Sequence, residues 1–164
     1  MNGDECTEIL KEEMRAVYRY LMKTGASHSD AEDVVQDTLY KAVLYMEAIA
    51  PESFRAWLFK VAHNGYLDLC RQRKGHPEVT LDSAWPADRR TPEEAALNRV
   101  RQEEVSAVLA KMKPVYRRLI LLKYQSGLSI REIACALSMG EETVKKYLYR
   151  ARIQFREHYR RGCQ

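Results

Sequence analysis

Five side chains along residues 141–152 have the types and spacing to work on a nucleic acid. Lys145, Lys146, Tyr149, Arg150 and Arg152 occupy the outward positions of a helix whose inward positions are Val144 and Leu148. Lysine and arginine donate to guanine edges in the major groove or to backbone phosphates, so a helix that points them outward is built to enter a groove. Just upstream, Ile130, Ile133, Ala134 and Leu137 fall at helical spacing, and Ser138, Met139 and Gly140 follow. Ala134 is small enough for a close helix crossing, and Gly140 is expected to free the backbone for the turn. The stretch 128–152 therefore reads as a helix-turn-helix whose second helix docks on DNA. An antiparallel helix pair with a solvated basic face is the competing reading.

A second group lies in FRAWLFKVAHNGYLDLCRQRK, residues 54–74. Phe54, Trp57, Phe59 and Tyr66 supply flat faces, Asn64 can donate and accept at a base edge, and Arg71, Arg73 and Lys74 can hold phosphates. Aromatics interleaved with cations are what a single-stranded nucleic acid site uses. For Phe54 and Trp57 a place in the core is the preferred reading, whereas Asn64 as a core residue would need amide partners. A third group is acidic. In DAEDVVQDTLYK, Asp30, Asp33, Gln36 and Asp37 can line one outer stripe of a helix at spacings of three and four. Asp30 and Asp33 also sit in the first turn, where the helix dipole alone would favour them.

Charge is segregated along the chain. Residues 1–52 hold 5 basic and 11 acidic side chains, net −6; residues 53–75 hold 5 and 1, net +4. Residues 76–104 hold 4 and 7, net −3; residues 105–127 hold 5 and 0, net +5; residues 128–164 hold 8 and 4, net +4. Two basic surfaces suit a phosphate backbone, and one acidic surface needs another partner. Cys6, Cys70, Cys135 and Cys163 form no CxxC pair, which argues against a zinc knuckle or a thioredoxin-type motif. His63 and Cys70 alone make no metal site. No nucleophile motif or glycine-rich phosphate loop supports catalysis, so no enzyme, cofactor or metal is expected. No apolar run approaches the roughly 18 residues of a membrane span, and the acidic N-terminus lacks a signal core, so a cytoplasmic protein is expected.

The elements that must position these groups are all helical. A first helix from about Glu5 to Met22 has Leu10, Met14, Val17, Tyr18 and Leu21 on one face. A second opens at a capping box, Ser29 with Glu32, and buries Val34, Val35, Leu39, Ala42, Val43 and Met46. Pro51 breaks the chain. Ser53 caps a third helix to about Arg73 that buries Phe54, Trp57, Leu58, Val61, Ala62 and Leu69. Residues 75–91 have no period and read as a flexible linker. Thr91 and Glu94 form another capping box, and Leu97, Val100, Val105, Val108, Leu109 and Met112 share the face that follows. A helix from Val115 to about Tyr124 precedes the helix-turn-helix, and the tail FREHYRRGCQ is expected to fray. This gives an all-α chain of two small helical domains, 1–74 and 92–164, joined by 75–91.

These motifs together resemble the bacterial extracytoplasmic-function sigma factors, the minimal two-domain group of the sigma-70 family. The resemblance rests on Asp30 to Asp37, on Phe54, Trp57-Leu58, Ala62-His63-Asn64, Asp68 and Arg71, and on Lys113 to Arg118. It continues through Glu132-Ile133-Ala134, Thr143-Val144-Lys145 and Arg150-Ala151-Arg152, and covers about 140 residues in the family's order. It implies a factor that binds core RNA polymerase and directs promoter-specific initiation. Asp33, Gln36 and Asp37 would dock on the clamp coiled coil of the largest polymerase subunit. The loop 47–53 and Asn64 would capture an unpaired base of the −10 element, with Arg71, Arg73 and Lys74 on its backbone. Thr143, Lys145, Lys146, Tyr149 and Arg150 would read the −35 element, with Arg131 and Arg152 as phosphate contacts. Glu142 departs from the family's pattern; it would accept from a cytosine amino group or cap the helix. Residues 75–91 would thread toward the polymerase active cleft, and an anti-sigma factor would cover both domains. A helix-turn-helix regulator with an N-terminal sensory domain is the alternative, but it leaves residues 30–74 without a role.

Overall fold

The computed structural model describes residues 3–73 and 92–162, which carry seven α-helices and no strand. The expected linker 75–91, Lys74 and the cap at Thr91 lie outside them. Helix α1 (Gly3–Thr24) buries Met14, Val17, Tyr20 and Leu21, and Gly25 ends it in the left-handed region at φ 109°. Helix α2 (His28–Tyr45) starts earlier than the expected capping box. Ser27 is its N-cap, extended at φ −68° and ψ 160°, and its side chain accepts from the Asp30 amide at 3.1 Å. The earlier start goes with a different buried face: Ala31, Val34, Thr38 and Ala42 point inward. Leu39 and Val43, expected in the core, are exposed.

A short 3₁₀ turn, Met46–Ala48, leads to α3 (Pro51–Gln72). Pro51 opens this helix instead of breaking the chain, and Ser53 lies within it and is not its cap. Proline suits the first turn because its missing N–H has no partner there anyway, and its φ is already helical. Helix α3 buries Ala56, Leu58, Phe59, Ala62, His63 and Tyr66.

In the second half, α4 (Pro92–Lys111) buries Val108 and Leu109, with Met112 just beyond its end, while Leu97, Val100 and Val105 are exposed. Helix α5 (Pro114–Ile120) runs into a wide π turn, Leu121–Gln125. Ser129 then caps α6 (Ile130–Leu137) through a reciprocal capping box with Glu132, a feature the sequence reading passed over. The turn to α7 (Glu141–Gly162) is carried by Ser138 in the left-handed region at φ 53°, and not by Gly140. The amides of Ser138 and Met139 close on the last α6 carbonyls, the second at 2.9 Å to Ala134. The tail expected to fray is helical to Gly162. It packs on α4, with Phe155 and Tyr159 stacked at 6.1 Å and the Tyr159 hydroxyl donating to Glu104 at 3.5 Å.

The two halves share one continuous buried cluster in which α6 lies along α3. Polar links tie them. Lys23 donates to the Ser106 hydroxyl at 2.8 Å, and Arg55 bonds both Glu13, at 2.9 Å, and the Ser126 carbonyl. Arg117, 8% exposed, donates to the carbonyls of Leu109 at 2.7 Å, Ala110 at 2.9 Å, and Met112 and Thr24 at 3.4 Å.

His63 lies in this shared core, 3.2 Å from the Tyr20 hydroxyl through Nδ1. Burial, and then the nearby Arg118 guanidinium, push its pKa down to about 4 from 6.5. Between those values the unfolded chain binds a proton that the folded chain refuses. Stability should therefore fall as pH drops from 6.5 toward 4, by up to about 3 kcal/mol. Urea unfolding across that range will show the slope, and His63→Gln should flatten it.

Candidate nucleic-acid and polymerase interfaces

Helix α7 is built on an apolar seam. Val144, Leu148 and Ala151 are buried against the rest of the second half, so the intervening positions must face out. Glu142, Thr143, Lys145, Lys146, Tyr149, Arg150 and Arg152 are all exposed, as is Arg131 on α6. Glu142 pairs with Lys145 at 2.8 Å, which holds its carboxyl below the usual range and raises the lysine. Arg150 stands 6.0 Å over the Tyr147 ring, whose edge meets Tyr116 at 5.9 Å. Arg152 donates to the Tyr124 hydroxyl at 3.2 Å.

On the first half the three expected groups sort differently. Asn64 is exposed on α3, which removes the need for buried amide partners. Phe59 and Tyr66 are buried and cannot stack a base from solution; they belong to the core. Phe54 and Trp57, read as core, are only partly buried, stacked on each other at 6.2 Å with Tyr45 edge-on to Trp57 at 6.4 Å. Tyr45 thus completes an aromatic cluster near the end of α2 that sequence reasoning did not include. Its signal was present in the exposed run Leu39, Tyr40, Val43, Leu44 and Tyr45, which the different helix face turns outward.

The acidic stripe loses one member. Asp33, Gln36 and Asp37 are exposed, Asp37 paired with Lys41 at 2.7 Å. Asp30 is 6% exposed and points inward, where Arg73 grips it with two bonds of 2.5 and 2.6 Å. The Arg73 guanidinium, with help from Ser27, holds the Asp30 carboxyl below its ordinary pKa. Arg73 therefore ties the start of α2 to the end of α3, beside any role on DNA. Arg71 is exposed and bonded to Asp68 at 3.1 Å. No helix among the described residues is long and apolar enough to cross a membrane.

The family models for Sigma-70 region 2 and Sigma-70 region 4 match residues 9–76 and 102–155. The extracytoplasmic-function RNA polymerase sigma factor SigL of Mycobacterium tuberculosis (strain H37Rv) is 34% identical over 145 residues, covering 85% of this chain and 80% of SigL. SigM of Bacillus subtilis is 26% identical over 155 residues, covering 94% and 95%. Among solved structures, the sigma factor RpoE bound to the anti-sigma factor NepR, from Bartonella quintana, superposes with a TM-score of 0.75 at 23% identity, covering 95% of this chain and 97% of RpoE. CnrH in complex with the cytosolic domain of CnrY gives 0.65 at 25% identity, covering 95% and 88%.

Removing Arg73 leaves a buried carboxylate without its partner. Because Arg73 itself is largely exposed, water screens much of the pair, and Arg73→Ala should lower the melting temperature modestly without unfolding the chain at room temperature. Thermal melting at neutral pH will measure it. Arg71→Ala, which breaks only an exposed pair, should leave the melting temperature nearly unchanged.

Proposed function

The chain belongs to the extracytoplasmic-function RNA polymerase sigma factors, and on that premise we propose how its two halves divide the work. As an alternative sigma factor it directs transcription initiation by RNA polymerase. The first half, residues 1–74, docks on the clamp coiled coil of the largest polymerase subunit through Asp33, Gln36 and Asp37. The exposed apolar residues of α2 support this, because a polar-rimmed apolar face suits a protein partner and not DNA. Asn64, exposed on the same helix as the Phe54–Trp57 stack, takes a base of the −10 element once it leaves the duplex, with Arg71, Arg73 and Lys74 on the backbone.

The second half, residues 92–164, reads the −35 element. The observation that carries this is the exposed row on α7: Glu142, Thr143, Lys145, Lys146, Tyr149, Arg150 and Arg152 stand outward while Val144, Leu148 and Ala151 anchor the helix. Lys145 and Arg150 discriminate bases; Arg131 and Arg152 hold phosphates. The segment 75–91 threads toward the polymerase cleft. The protein acts by binding and not by catalysis, in the cytoplasm. A protein inhibitor of the anti-sigma class is a further partner.

Promoter-directed transcription by core polymerase, with and without the chain, tests the reading as a whole. Reversing both charges, Asp33→Lys with Asp37→Lys, should abolish co-purification with core enzyme while leaving the melting temperature intact. Each lost contact is worth about 2–5 kcal/mol at a desolvated interface. Unchanged co-purification would refute the docking site. In a promoter library, Lys145→Ala and Arg150→Ala should change the preferred −35 bases, by about 1–3 kcal/mol per position. Arg131→Ala should lower output for all sequences alike. Three identical preference profiles would refute the assignment of α7.

A further inference from the structure

We propose that Tyr124, outside the helix-turn-helix, is a positioning residue for Arg152 and a phosphate contact in its own right. This rests on the reading of α7 as the −35 reader. Tyr124 belongs to the π turn between α5 and α6. There the Ser126 amide reaches back to the Leu121 carbonyl at 3.0 Å, and the Leu128 amide to the Leu122 carbonyl at 2.9 Å. Such wide turns insert a residue and re-aim the side chains around it, and they recur at functional sites. Here Leu121 and Leu122 are buried while Tyr124 is 59% exposed, so its ring is not explained by the core.

Its hydroxyl meets Arg152, 28 residues later in the chain, at 3.2 Å. A phenol both accepts and donates. Accepting from the Arg152 guanidinium leaves its own proton unused, and among the described residues that proton has no acceptor. Arg152 has no carboxylate partner among them either, in contrast to Lys145, which Glu142 neutralises. The pair thus presents a guanidinium and an O–H side by side at the edge of the DNA-reading surface, with no anion to receive them. An anionic oxygen that accepts from both is the matching ligand, and beside a groove-binding helix that oxygen is a backbone phosphate. The hydroxyl also limits the rotamers of a long, exposed side chain, which reduces the entropy lost on binding.

The test uses the chain assembled with core polymerase. The probe is promoter DNA selected from a randomised −35 library by the wild-type assembly. Tyr124→Phe keeps the ring and removes both hydrogen bonds. It should raise Kd about tenfold with the preferred sequence unchanged. Arg152→Ala should weaken binding and lower the salt slope by about 0.9, the loss of one phosphate contact, whereas Tyr124→Phe should leave the slope alone. In the Arg152→Ala background the effect of Tyr124→Phe should shrink, because its positioning part has nothing left to position. Wild-type binding by Tyr124→Phe, alongside weakened binding by Arg152→Ala, overturns the proposal and leaves the role of α7 standing. Effects that multiply fully also overturn it, as does an affinity loss that tracks a fall in melting temperature. Wild-type binding by Arg152→Ala removes Arg152 from the interface, and Tyr124 with it.

Discussion

The guanidinium of Arg117 is the point on which the packing of the molecule turns. A helix leaves its last carbonyls without partners, and here two helices end side by side. Arg117 collects Leu109, Ala110 and Met112 at the end of α4 and reaches Thr24 at the end of α1. Its positive charge sits at the negative poles of both helix dipoles, where a buried cation costs least. Gly25 lies against this site: a side-chain carbon there would meet Arg117 Nη1 and the Tyr66 hydroxyl at an ordinary 3.9 Å, and it is the φ of 109° that reserves the position for glycine. Arg118, the next residue, adds the field that helps keep His63 neutral. One dipeptide thus ties the first half to the second and sets the electrostatics of the core between them.

Much of this was legible in the sequence, because the long apolar periods of α1 and α7 admit one reading. The outward side chains of α7 follow directly from Val144 and Leu148. What was misread traces to local competition. Ser27 and Ser29 are both good caps for α2, and the choice of Ser27 goes with a helix face in which Thr38 replaces Leu39 in the core; Thr38 is tolerated there because its hydroxyl bonds the Val34 carbonyl at 2.7 Å. Asp30 looked like surface because its partner, Arg73, is 43 residues away, and no spacing rule reports a pair across two helices. Phe59 and Tyr66 are aromatic and lie among cations, so composition alone could not separate a stacking surface from a core. The contact of α6 with α3 has no sequence signature, since both faces are merely apolar.

Helix α2 shows how one short element serves two masters. Its inner face is fastened by the Ser27 cap, by the Asp30–Arg73 pair and by small residues that let α1 and α3 come close. Its outer face keeps Leu39, Tyr40, Val43, Leu44 and Tyr45 in water, at a cost in hydration. The acids Asp33 and Asp37 beside them offset it by keeping this face soluble.

Ser138 stands where most chains would place a glycine. A side chain in the left-handed region costs roughly 1 kcal/mol, and this serine carries that cost between α6 and α7. The turn is therefore held by its neighbours and not by its own preference. Position 138 is thus a tuning point for evolution or design: a glycine there would relieve the strain between α6 and α7, and a β-branched residue would add to it, without touching the outward side chains of α7.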